Sequence, residues 1–108
     1  GNGYYREPHL DGSNRMLAGL VYFNFSKTPG ASGGEFAIYE PLIETRKRQL
    51  EPNDVKAIKL ITPKPGMVFC FLNDSRGYHG VPLMEGFSAS DKRYFCYFGI
   101  STELHKLY

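Results

Sequence analysis

The chain has 108 residues and a mass of 12.2 kDa, room for one small domain spanning 1–108 and not for a two-domain enzyme. Thirteen Lys and Arg against eleven Asp and Glu leave a formal charge of +2, too weak a bias to argue for nucleic acid. No apolar run approaches the roughly 20 residues of a membrane span, and no charged-then-apolar opening marks an export signal, so the expectation is a soluble chain.

The predicted elements are short strands. Sixteen Tyr and Phe, twelve Gly and no Trp suit aromatic-rich strands joined by glycine turns. In chain order, strands are expected near 3–9, 15–25, 35–40, 55–62, 66–72, 79–84 and 92–100. Turn-forming clusters separate most of them: Gly12-Ser13-Asn14, Pro29 to Gly34, Pro63 to Gly66, Asn73 to Gly77 and Gly86 to Asp91. Seven strands at such intervals predict an all-β sandwich or jelly roll. The stretch 42–51 after Pro41 reads either as a short helix or as a polar excursion, and its Arg46-Lys47-Arg48 run as a solvated face.

Two of the strands are apolar on both faces. From Met16 to Phe25, one face carries Met16, Ala18, Leu20 and Tyr22, and the other Leu17, Gly19, Val21, Phe23 and Phe25. From Arg93 to Ile100, Phe95 and Tyr97 alternate with Tyr94, Cys96, Phe98 and Ile100. A sandwich strand with one solvated face should alternate with polar residues, so the outer face of these two strands needs a cover. Cys70 and Cys96 are not spaced as a metal pair or a disulfide framework. They read as reduced core thiols, which favours a reducing, cytoplasmic compartment.

The densest chemical signal is Tyr5-Arg6-Glu7-Pro8-His9-Leu10-Asp11-Gly12. In an extended backbone, residues i and i+2 project together, so His9 and Asp11 share a face while Leu10 turns aside. A lone His-x-Asp is weak evidence, and the bland alternative is a surface turn. His79, at the mouth of a later strand, supplies a second imidazole. Two His and one carboxylate with open positions is the ligand set preferred by non-haem Fe(II) oxygenases. Arg93 heads a very apolar strand, either as a strand-end charge reaching water or as a planar fork for a carboxylate.

These residues, with Gly19 to Asn24, Gly33-Gly34-Glu35-Phe36, Pro65 to Phe69, Tyr78-His79-Gly80-Val81 and Arg93-Tyr94-Phe95, resemble the Fe(II)/2-oxoglutarate-dependent oxygenase superfamily, nearest its prolyl-hydroxylase-like branch. The likeness runs in order over nearly the whole chain. It implies a double-stranded β-helix, the cupin-like jelly roll, with His9, Asp11 and His79 as iron ligands. It implies Arg93 as the grip on the distal carboxylate of 2-oxoglutarate, helped by Tyr22, with Lys92 as the fallback for Arg93. The cofactors implied are Fe(II) and 2-oxoglutarate, with ascorbate as a candidate reductant. The reaction is hydroxylation of a substrate C–H bond coupled to formation of succinate and CO2. Gly33-Gly34 corresponds to a glycine pair that the family uses as a turn.

Three departures stand out. The interval from His79 to Arg93 is fourteen residues, long for the family; the segment from Pro41 to Asp54 has no counterpart; and the chain starts only eight residues before His9. The first core strand and the N-terminal helices of the family are therefore expected to be missing, as in the catalytic core of a longer protein or a short form that dimerises to cover its exposed sheet. Candidates around the mouth are Tyr4, Arg6, Arg15, Asn24 and Arg76, each equally readable as a polar rim residue; the substrate is not legible. The tail with His105 carries no ligand role. The alternative from another class is a noncatalytic or differently catalytic metal-binding jelly-roll module.

Overall fold

The computed structural model describes residues 2–11, 15–72 and 77–101, with the backbone alone at Arg15. The turns at 12–14 and 73–76, Arg76 and the tail with His105 lie outside the described residues. Seven strands follow in order: β1 (Arg6–His9), β2 (Arg15–Phe25), β3 (Phe36–Pro41), β4 (Val55–Ile61), β5 (Val68–Leu72), β6 (His79–Val81) and β7 (Arg93–Ser101). They form two antiparallel sheets, one ordered β1-β6-β3-β4 and the other β5-β2-β7. The architecture is an all-β sandwich, with strand positions close to those the turn chemistry predicts.

The inner faces meet over a core of Leu20, Tyr22 and Phe36, with Ile38, Ile61, Met67, Phe69 and Phe71 packed against it. Ala18, Leu20 and Tyr22 of β2 are buried, as the period-two reading requires. Met16, which that reading puts on the same face, is mostly exposed, because the pairing of β2 with β7 shifts register between Arg15 and Leu17. A second shift, between Tyr22 and Asn24, leaves Phe23 without a partner and reverses the alternation beyond it. Phe25, assigned by strict alternation to the outer face, therefore packs on Phe87 instead and pairs with Arg93.

The segment after β3 is a polar excursion ending in a 3-10 turn at Pro52–Asp54, not a helix. It returns along β1: the Leu10 amide donates to the Arg48 carbonyl at 2.7 Å, the Leu50 amide donates to the Pro8 carbonyl at 2.8 Å, and Gln49 bridges to His9. Leu50 buries itself with Val55 and Tyr78, and Leu10 and Tyr39 complete this second cluster. Arg46, Lys47 and Arg48 face solvent, the reading their isolated charge run suggests.

The outer face of β5-β2-β7 is apolar and open. Phe23, Val68, Leu72, Tyr94 and Ile100 are each more than half exposed. Cys70 and Cys96 lie on this sheet too, opposite Gly19 and Val21. Both thiols are free, but they are exposed, which corrects their assignment to the core. An apolar strand run signals burial only where a second layer covers it, and here none of the described residues does.

Candidate metal centre

Antiparallel pairing of β1 with β6 sets His9 directly opposite His79. Cross-strand partners project from the same face, so the two imidazoles meet, with ring centroids 4.3 Å apart. Gly80 makes this close pairing possible, since a Cβ there would stand 2.5 Å from the Arg6 carbonyl oxygen. Asp11, two residues past His9, projects to the same side. Its Oδ1 lies 3.4 Å from His79 Nε2 and 3.8 Å from His9 Nε2. One ligand atom from each of the three residues falls within 4.8 Å of the others.

The backbone selects the tautomer of both rings. His9 Nδ1 donates to the Glu7 carbonyl at 2.9 Å, and His79 Nδ1 donates to the Gly77 carbonyl at 2.8 Å. A carbonyl can only accept, so each Nδ1 is the donor in its bond, which leaves each Nε2 as the atom facing Asp11. Carbonyl-anchored imidazoles of this kind are the usual support of metal-ligating histidines. Adjacent ligands of an ion bound at roughly 2.1 Å stand about 3 Å apart, so the three groups, separated by 3.4 Å, 3.8 Å and at most 4.8 Å, would draw together around a bound ion. The donor set of two imidazole nitrogens and a carboxylate fits a divalent metal with positions left open.

Burial pushes the His9 imidazole below 6.5, and the neighbouring His79 and Arg6 push the same way, outweighing the Glu7 carbonyl and Asp11. It is therefore neutral at pH 7, the form that ligates. Burial raises the Asp11 carboxyl, yet hydrogen bonding from His79 and Tyr97 and the two imidazoles overcome it and bring it to about 2. Asp11 is thus ionised over the whole physiological range. Phe36 stacks on the His79 ring at 5.5 Å, and Phe71 lies 4.5 Å from it.

A cavity of about 380 Å³ opens beside the cluster, lined by His9, Asp11 and His79 together with Tyr4, Arg6, Leu20, Phe36, Arg93, Phe95 and Tyr97 among others. Arg93 reaches it from the other sheet. Its guanidinium packs 4.7 Å from the Phe95 ring centroid and 5.7 Å from those of Tyr4 and Tyr22. Nε donates to the Gly34 carbonyl at 3.2 Å, and a terminal nitrogen lies 3.5 Å from the Tyr22 hydroxyl. Among the described residues, no carboxylate pairs with Arg93.

Gly33 and Gly34 deliver that carbonyl. Both have positive φ, and a Cβ on Gly33 would fall 1.9 Å from the Leu83 carbonyl oxygen, so the turn admits only glycine there.

The structure thus brings His9, Asp11, His79 and Arg93 to one cavity. Tyr22 is fully buried behind Arg93 and does not line it; Tyr4 occupies the wall instead. Lys92 extends over the Tyr94 ring, away from the cavity. Of the mouth candidates, Tyr4 and Arg6 line the cavity, Arg6 paired with Glu7 at 2.9 Å. Asn24 lies past the β2 bulge, paired with exposed Tyr94. Tyr97, to which the sequence assigns only a strand face, contacts Asp11 directly. Its signal is the alternation Arg93, Phe95, Tyr97, which puts all three on the cavity side.

Compared with protein-family models, curated proteins and solved structures, the chain matches none.

Proposed function

We propose that this chain is the core of an Fe(II)- and 2-oxoglutarate-dependent dioxygenase built on a double-stranded β-helix. The observation that carries the reading is the convergence of His9, Asp11 and His79 within 4.8 Å on a cavity that also holds Arg93, a guanidinium stacked on aromatic rings. The assignment of β1, β6, β3 and β4 to one sheet and β5, β2 and β7 to the other supports the jelly-roll reading, because the chain crosses repeatedly between two antiparallel layers.

In this reading His9 and His79 supply imidazole nitrogens and Asp11 one negative charge to Fe(II). When bound, Fe(II) and 2-oxoglutarate supply the oxidising chemistry, in which 2-oxoglutarate, O2 and a substrate C–H yield succinate, CO2 and a hydroxylated product. Arg93 binds the distal carboxylate of the co-substrate through charge-assisted hydrogen bonds. Its ring contacts and the Gly34 carbonyl hold the fork in place without neutralising it. Leu20, Phe36 and Phe95 line the space between with apolar surface, which lowers the local dielectric and strengthens the ionic contact.

The test is direct binding under anaerobic conditions. Fe(II) with 2-oxoglutarate should give a visible charge-transfer band in the wild-type chain, lost in His9→Ala and in His79→Ala and weakened in Arg93→Ala. A wild-type chain with no band, or a band unchanged in all three variants, overturns the reading.

A further inference from the structure

The Tyr97 hydroxyl donates to Asp11 Oδ2 at 2.7 Å. The other carboxylate oxygen, Oδ1, faces the Nε2 atoms of His79 and His9. Asp11 is therefore held from two sides: a phenol takes one oxygen, and the other points at the ligand cluster. Tyr97 comes from β7 in the opposite sheet, whereas Asp11 follows β1, so the bond also bridges the sandwich at the cavity.

A carboxylate beside a divalent ion can ligate through one oxygen or through both. Two-oxygen ligation consumes one more coordination position and leaves one fewer for exchangeable ligands. A donor fixed on Oδ2 opposes that swing, because rotating Oδ2 onto the ion breaks a short charge-assisted hydrogen bond. Supports of this kind around a ligating carboxylate govern metal affinity as well as geometry.

We propose that Tyr97 is a positioning residue that restricts Asp11 to one-oxygen metal ligation and thereby keeps three coordination positions of the bound ion open. The inference rests on reading His9, Asp11 and His79 as a metal centre, and it concerns no particular co-substrate.

The experiment uses Mn(II) alone with the wild-type chain, Tyr97→Phe and, as a control, Tyr94→Phe, which alters a phenol on the open outer face of the same strand. Circular dichroism establishes that each variant is folded. Water-proton relaxation per bound Mn(II) then counts exchangeable positions. Tyr97→Phe should lower it by about a third, as three open positions become two. It should also weaken Mn(II) binding by about tenfold or more. Tyr94→Phe should match the wild type in both. Equal relaxation in Tyr97→Phe and wild type overturns the proposal, and so does a loss of affinity with relaxation unchanged, which makes Tyr97 merely a tie between sheets. If the wild-type chain binds no Mn(II) while folded, the underlying metal reading fails, a result distinct from either.

Discussion

Asp91 shows how one side chain organises the approach to the cavity. Its carboxylate accepts from the Thr28 amide at 3.0 Å, the Thr28 hydroxyl at 2.6 Å and the Ser88 amide at 2.8 Å. These bonds join the loop after β2 to the loop before β7. They lie beside Ser26 and Lys92, whose backbones pair at 2.8 Å next to Arg93. The Thr28 hydroxyl, helped by the backbone amides of Ser88 and Thr28, holds the Asp91 carboxyl below its ordinary 3.8. A carboxyl depressed by folding stabilises the native state fully above its unfolded value, and that contribution disappears as pH falls through the lower folded value. The stability advantage of the wild type over Asp91→Asn should therefore be constant from neutral pH down to about 4 and shrink below it. Urea midpoints across that range check this; an advantage that persists undiminished at pH 2–3 rules the mechanism out.

At the scale of elements, the excursion between β3 and β4 braces the two ligand-bearing strands, which also pair with each other. It pairs with β1 around His9, and the Tyr78 hydroxyl donates to the Lys47 carbonyl one residue before His79. Leu50 is its buried anchor, packed with Val55 and Tyr78. Leu50→Ala should cost about 2–5 kcal/mol, read as a lowered urea midpoint, because the cavity left behind cannot collapse against strands fixed by their own ladders. Metal affinity should fall with it, since His9 and His79 share this prop. Full affinity in a destabilised Leu50→Ala chain would show that the β1–β6 pairing suffices without the excursion.

Much of this was legible beforehand, and the exceptions have local causes. The strands follow from glycine and proline punctuation between aromatic runs, a signal carried by neighbouring residues. His9 and Asp11 read as one unit because an i, i+2 pair needs only an extended backbone. Strict alternation misplaces Phe25 and Met16 because a bulge inserts a residue without a sequence mark, and every side chain beyond it changes face. The excursion's pairing with β1 joins residues some forty apart through backbone groups, which sequence does not display.

As a whole, the molecule is a slab, 39 × 32 × 19 Å, with a radius of gyration of 14.5 Å. A compact chain near this length has a radius of about 13 Å, so the molecule is somewhat extended, and the outer face of its β5-β2-β7 sheet is bare. That face presents Phe23, Val68, Leu72, Tyr94 and Ile100 across all three strands of its sheet. Contiguous apolar surface of this kind binds hydrophobic probes. The isolated chain should therefore enhance the fluorescence of a hydrophobic dye while folded, and the triple variant Val68→Lys, Leu72→Lys, Ile100→Lys should lose most of that signal. An undiminished signal in the folded variant would locate the dye elsewhere.

The sequence by itself determined the strands, the two-faced apolar runs and the pairing of His9 with Asp11, because each depends on periodicity or on residues within a few positions. It also named His79 and Arg93, through an ordered resemblance and not through spacing alone. Only the tertiary structure decided that these residues share one cavity, that Tyr22 stands behind Arg93 while Tyr97 grips Asp11, and that the two thiols face outward. Each of those facts depends on register between distant strands and on which sheet covers which. A one-residue bulge or an absent layer changes them while leaving the local pattern the same.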